Sequence, residues 1–243
     1  MMVAYVGHAT VELELDGVRL LTDPVLRASV GHLRRVAPPA RIAADVDAIL
    51  VSHAHHDHLD VPSLSLLPAS ALAVVPRGAR RLLRRFDRVV ELDEGDEAAV
   101  GPLLVRGLHA EHPGGRTPFR ARGPALSYAI LGTKRVYFAG DTGLFAGMDG
   151  LVRDLDLALL PVWGWGPRLG PGHLDPRSAA EALQLLRPRV AIPIHWGTYR
   201  MLHRTRVDRR ELEAPALAFA QAASELAPDV DIRILRPGDH TSF

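Results

Sequence analysis

Ser52-His53-Ala54-His55-His56-Asp57-His58-Leu59-Asp60 follows directly on the apolar run Ala48 to Val51, and it decides how this chain of 243 residues is read. An extended segment that enters a tight loop aims His53 and His55 to one side, because they stand two residues apart. Asp57 and His58 then come round toward a second point close by. Imidazole nitrogens and carboxylate oxygens are the ligand set of zinc and similar divalent ions, whereas calcium calls for oxygens alone. So many ligand groups in one short run suggest two ions rather than one. The competing reading is a solvated polar loop, but such a loop rarely gathers four of a chain's 12 histidines into six residues.

The composition frames that motif. With 47% hydrophobic residues, a net charge of +1, 19 Pro and 21 Gly, the chain reads as one loop-rich globular domain spanning 1–243. There is no cysteine, so disulfides, thiolate ligands and a cysteine nucleophile are excluded, and a metal site must be built from His and Asp. Lys134 is the only lysine among 29 basic residues, and 28 acidic residues nearly cancel them. That balance argues against a dedicated nucleic-acid binder. The opening Met-Met-Val-Ala-Tyr-Val-Gly-His has no basic n-region or long apolar stretch, and no segment approaches a membrane span, so the expected compartment is the cytoplasm.

Val11 to Leu15 alternates apolar and polar residues, Asp16-Gly17 marks a turn and Val18 to Leu21 returns, which predicts an opening hairpin. Further strands are expected at 48–51, 71–75, 89–92, 103–105, 126–131, 136–139, 157–160 and 190–194. The clearest helix starts at Asp175-Pro176, carries Ala179, Ala182, Leu183 and Leu186 on one face and stops at Arg187-Pro188. A second is predicted over Gly78 to Phe86, with Leu82, Leu83 and Phe86 on one side and a solvated arginine face on the other. Strand-rich halves with helices outside them fit a four-layered α/β sandwich (αββα, mixed sheets) better than a doubly wound sheet.

Other candidate ligands fall where strands end. Val136 to Ala139 runs into Gly140-Asp141-Thr142-Gly143, whose carboxylate can bridge two cations. Val190 to Ile194 runs into His195. Leu103 to Val105 leads toward His109 and His112, two candidates for one more ligand. Taken singly, each has a plain reading as a turn residue or a structural histidine.

Together they resemble the metallo-β-lactamase-fold hydrolases, through His53-x-His55-x-Asp57-His58, a later His, Gly140-Asp141-Thr142 and His195. The chain is similar, more narrowly, to the branch containing the L-ascorbate phosphate lactonase and the N-acyl phosphatidylethanolamine phospholipase D. This rests on Gly7-His8-Ala9-Thr10, Leu21-Thr22-Asp23-Pro24, Phe138 to Gly143, His173-Leu174-Asp175-Pro176 and His195-Trp196-Gly197-Thr198. The resemblance implies the αββα sandwich, with one metal on His53, His55 and His112, a second on Asp57, His58 and His195, and Asp141 bridging. His112 is preferred to His109 because the family's ligand follows a Pro-Ala-x-like step, and Ala110-Glu111-His112 fits its end. The implied cofactors are two divalent ions, zinc first, with Mn2+ or Fe2+ as ions the same ligands accept.

A hydroxide shared by two cations would attack the substrate without a serine or cysteine nucleophile. Asp57 is read as both ligand and orienter of that hydroxide. Asp23 is read as a partner that fixes an imidazole tautomer, with a plain turn before Pro24 as its alternative. His173 stands where the resembling enzymes have a pocket histidine, and is expected to bind the substrate's anionic group or protonate the leaving group; a capping role is the alternative. His8 is either a pocket residue or a buried, satisfied histidine. Trp163 and Trp165 are candidate pocket walls. Arg116, Arg120 and Arg122 are candidate anion contacts in the segment 113–124, which can equally be a solvated loop.

The expected reaction is metal-dependent hydrolysis of a phosphodiester or of a lactone or ester in a small anionic substrate. A nuclease of the same superfamily and a non-catalytic metal-binding protein are the rival readings, and a flavin-bearing redox relative lacks a second domain here. Relatives often form homo-oligomers, but no surface stripe marks an interface.

Overall fold

The first strands of the computed structural model, which describes residues 1–115, 123–163, 169–204 and 208–243, are buried along most of their length. β1 (Met2–Gly7), β2 (Thr10–Leu15) and β3 (Val18–Thr22) form an antiparallel meander. Asp16 and Gly17 join β2 to β3 with φ of 51° and 78°, the left-handed pair that a two-residue hairpin turn requires. The expected opening hairpin is therefore the second half of a meander that β1 begins.

The chain continues through β4 (Ser29–Val30), β5 (Leu33–Arg35), β6 (Ala48–Leu50), α1 (Val61–Leu64), β7 (Leu72–Pro76), β8 (Arg88–Leu92), β9 (Glu97–Val100) and β10 (Leu103–His109). Then come β11 (Leu126–Leu131), β12 (Arg135–Phe138), β13 (Leu157–Pro161), α2 (Pro176–Leu186), β14 (Val190–Ile194), β15 (Tyr199–Met201), α3 (Arg209–Leu226), β16 (Asp231–Ile232) and β17 (His240–Ser242).

Two seven-stranded mixed sheets result, ordered β17-β1-β2-β3-β6-β7-β8 and β16-β14-β13-β12-β11-β10-β9, with a third small sheet β15-β5-β4. β3, β6, β7 and β8 are parallel neighbours, as are β12, β13, β14 and β16. The parallel strands β6, β7, β13 and β14 are buried along their whole length, as strands covered on both faces must be. The main core joins Val11, Leu13, Leu20 and Leu50 of the first sheet to Val105, Tyr128, Phe138 and Leu159 of the second, and extends to Leu183 and Phe219 of α2 and α3. This is the expected sandwich with mixed sheets.

The outer layers are unequal. On one side, α2 and α3 pack on each other and on β13 and β14. Asp175 caps α2 through its side chain to Ser178 N at 2.8 Å, while Ser178 Oγ accepts from Asp175 N at 2.8 Å, a reciprocal box that satisfies two orphan donors. Over the first sheet the helical cover is thin. The helix expected at Gly78–Phe86 is only a 3-10 turn at Arg80–Leu82, because the Glu91 carboxylate takes the N–H groups of Gly78 and Arg80 and Gly78 turns through φ 89°. No helix among the described residues is long and apolar enough to cross a membrane.

Candidate metal centre

Five parallel strands end at one edge of the sandwich, and each delivers a polar residue there. β3 ends into Asp23, β6 into Ser52 and His53, β12 into Asp141, β13 into Trp163 and β14 into His195. Antiparallel β10 supplies His112 from the loop beyond His109. Open α/β sheets place ligands at the carboxyl ends of strands because the chain leaves the hydrogen-bonded ladder there and its side chains can converge.

The convergence is tight. The ligand atoms of His53, His55 and His112 lie within 4.8 Å of one another, as do those of Asp57, His58 and His195 with His8, and those of His53, His58 and Asp141. Asp141 stands between the two triads, with Oδ2 3.2 Å from His58 Nε2 and Oδ1 3.3 Å from His195 Nε2. All seven ligand candidates read from the sequence therefore meet at one place. His109 does not: its Nδ1 lies 3.1 Å from Glu94 and its ring packs edge-on against Phe145.

The hydrogen bonds decide which nitrogens face inward. Ser52 Oγ donates to Asp23 Oδ2 at 2.6 Å, so toward His53 Nδ1, 2.9 Å away, it can only accept. His58 Nδ1 donates to Asp23 Oδ2 at 2.7 Å, His112 Nδ1 to the Gly172 carbonyl at 2.9 Å, and His195 Nδ1 to the Trp163 carbonyl. With each Nδ1 carrying its proton outward, the Nε2 atoms of His53, His58, His112 and His195 face into the site. His53 Nε2 and His112 Nε2 come within 2.9 and 3.2 Å of His55 Nδ1. Asp141 Oδ1 is buried and has no hydrogen-bond partner among the described residues. Imidazole nitrogens converging on a buried carboxylate are a donor set that fits divalent metal ions.

Protonation follows the same geometry. Burial first, then the neighbouring His58, holds His53 well below the ordinary imidazole value. Burial also lowers His55 and His195, and brings His112 to about 4. These are the neutral imidazoles that metals require. His58 goes the other way: burial opposes its charge, but the carboxylates of Asp141, Asp57 and Asp23 outweigh it and raise the pKa well above the ordinary value. Burial would raise Asp57 and Asp141, yet the surrounding histidines win and hold both well below the usual carboxylate range.

Asp23, read as a partner of one imidazole, is wholly buried and accepts from Ser52 N, Ser52 Oγ and His58 Nδ1. Ser52, which the sequence reading passed over, thus ties Asp23 to His53 as well. Gly140 is required beside it: its φ is 60°, and an added Cβ would lie 2.4 Å from Ser52 Cβ. Among the described residues, three of the six non-glycine residues with positive φ are His8, Asp23 and His195, so backbone strain concentrates at this site.

His173 Nε2 lies 3.6 Å from Asp141 Oδ2 and its ring 4.7 Å from that of His112. The Asp141 carboxylate raises its pKa against a smaller effect of burial. It lines a cavity of about 240 Å³ with His55, His56, Asp57, Asp141 and His195. The opposite wall is the β4–β5 hairpin, Val30 to Leu33, which no sequence pattern announced. His32 enters the site from that turn, whereas His203 and His240 lie exposed on other segments. The Trp163 side chain packs partly buried against the core. Trp165, Arg116, Arg120 and Arg122 lie outside the described residues.

Residues 18–196 match the family described as the Beta-lactamase superfamily domain. An uncharacterized protein of Mycobacterium tuberculosis is 37% identical over 224 residues, covering 83% of this chain and 60% of that protein. The chain thus spans about three fifths of that relative's length. A metal-dependent hydrolase of Methanopyrus kandleri is 32% identical over 252 residues, 98% of each chain. An N-acyl-phosphatidylethanolamine-hydrolyzing phospholipase D of Caenorhabditis elegans is 32% identical over 231 residues, 83% of this chain and 65% of that protein. Among solved structures, a metallo hydrolase of Ignicoccus hospitalis superposes with a TM-score of 0.75 at 24% identity, covering 100% of this chain and 97% of that one. At that identity the likeness concerns the fold.

Proposed function

The chain belongs to the Beta-lactamase superfamily domain family, and on that premise we propose that it is a metal-dependent hydrolase that cleaves a phosphodiester or a lactone or ester bond in a small anionic substrate with two divalent cations, zinc first. The observation that carries this reading is the pair of triads with Asp141 between them and the outer imidazole nitrogens of His53, His58, His112 and His195 held by Ser52, Asp23 or a backbone carbonyl. His53, His55 and His112 would hold one ion, Asp57, His58 and His195 the other, and Asp141 both. When bound, the cations would lower the pKa of a shared water and neutralise charge that develops on the scissile group.

The chain's own residues supply the rest. Asp57, 22% exposed at the cavity, can orient the attacking oxygen. Asp23 holds the His58 tautomer. His173, on the cavity wall and beside Asp141, can donate from Nε2 to an anionic oxygen or to the leaving group. The cavity's modest size favours a small reacting group, with Val30 and Leu33 offering apolar contact opposite the ligands.

The test is hydrolysis of a panel of phosphodiesters and lactones by the full chain before chelation, after chelation and after zinc, manganese or iron(II) is restored. Cleavage of one class that is lost on chelation and regained with metal supports the reading and chooses the bond. Metal-independent turnover contradicts it, as does metal binding without hydrolysis of either class; the latter outcome favours a non-catalytic metal protein, and cleavage confined to RNA favours a nuclease.

A further inference from the structure

His8 is a buried titratable residue at this edge that the metal centre described above does not use. It is wholly buried, and its Nε2 lies 3.3 Å from Asp57 Oδ2. Its ring centroid is 3.9 Å from that of His195, and its carbonyl accepts from the His195 N–H at 2.7 Å. Its own N–H donates to Thr198 Oγ1 at 2.7 Å. The backbone that makes this double contact is strained: φ is 59° at His8 and 130° at Gly7, where an added Cβ would lie 2.7 Å from Thr198 Oγ1. Residues held in such conformations persist only where the surroundings over-determine them.

One residue therefore touches two members of one triad by two routes, Asp57 through its side chain and His195 through its main chain. We propose that His8 is a positioning residue for the Asp57/His58/His195 ion site: its Nε2–H anchors Asp57 Oδ2, the oxygen that also lies 3.7 Å from His58 Nε2 and 3.8 Å from His195 Nε2, and its carbonyl fixes the segment that presents His195. The inference rests on the two-ion reading above. The contacts just described fall on Asp57 and His195, members of one triad, so the effect is expected at one of the two ions. A histidine that merely filled core space would show no such selectivity.

The test is stepwise zinc binding to the purified full chain by competition with a chromophoric chelator, for the native protein, His8→Ala, His8→Leu and His8→Gln. Glutamine can place an amide N–H near the position of Nε2; alanine and leucine cannot. The native protein should bind two ions. His8→Ala should bind the first as the native protein does and the second at least about tenfold more weakly, in the range seen when a ligand's hydrogen-bond partner is removed. His8→Gln should recover most of that loss. If His8→Ala does not fold, the leucine and glutamine variants make the same comparison. Two ions bound by the alanine or leucine variant with native affinities, or a glutamine variant no better than they are, would overturn the inference and leave the two-ion reading standing. A native protein that binds only one ion would overturn both.

Discussion

Asp23 Oδ2 lies 2.7 Å from His58 Nδ1, and neither side chain reaches solvent. The carboxylate comes from the end of β3 and the imidazole from the loop after β6, so the parallel pairing of these two strands is what brings them together. Asp23 also takes the N–H and O–H of Ser52, which makes it the anchor of both His53 and His58. Asp23→Asn should cost about 10- to 100-fold in metal affinity, because an amide has one acceptor oxygen for three donors. A chelator competition titration measures this; an unchanged affinity would show that the outer contacts are idle.

His112 and His109 should separate cleanly. His112→Ala should lower the bound metal by one ion per chain, whereas His109→Ala, at a side chain that lies against Glu94, Glu111 and Phe145, should leave metal content intact. Elemental analysis of both variants decides the matter.

Gly140→Ala should destabilise the fold and empty the site together. The substitution combines a left-handed backbone with a Cβ 2.4 Å from Ser52 Cβ, and strain of this kind costs about 1–3 kcal/mol. Denaturant unfolding should show a lowered midpoint at unchanged slope, and metal content should fall. A variant with native midpoint and metal content would mean that Ser52 moves freely.

In the metal-free protein, stability should fall as the pH drops from about 7 to 5. Burial, followed by the nearby His195, lowers His8 from 6.5 to about 3, so below pH 6.5 the unfolded chain binds a proton that the folded chain refuses. Over about 1.5 pH units below 6.5 this residue alone costs about 2 kcal/mol. His53, His55, His112 and His195 act with the same sign. The lowered Asp57 and Asp141 add to the loss only below their ordinary 3.8. His58 and His173 oppose it, since their raised values give stability present below 6.5 and lost as the pH rises through the folded pKa. Thermal unfolding of chelated protein against pH should follow this slope, and His8→Gln should flatten it; a flat native profile would contradict the assignment.

Much of this was legible in the sequence because it is local. Apolar runs bounded by turn residues marked β2, β3, β11 and β14 closely, and Asp175-Pro176 marked the start of α2. Elements whose signal is not local were missed. α3 carries Pro215 within it, which breaks a helical pattern on paper. β1 lacks a turn signal at its start, and β4, β5 and β15 are two or three residues long and exist because they pair with each other. The seven ligand candidates are polar residues at strand ends, a pattern that one chain shows. Ser52 and His8 are different: their partners Asp23, Asp57 and His195 lie 29, 49 and 187 residues away, a relation that only the folded chain reveals. The wall Val30–Leu33 belongs to the same class.

The account stands most directly on the number of metal ions per chain, measured by elemental analysis on protein purified without chelators or a histidine tag and again after reconstitution. The geometry of two triads around Asp141 predicts close to two ions per chain, both removed by chelation together with the hydrolytic activity. A chain that holds no specifically bound ion after reconstitution would contradict it.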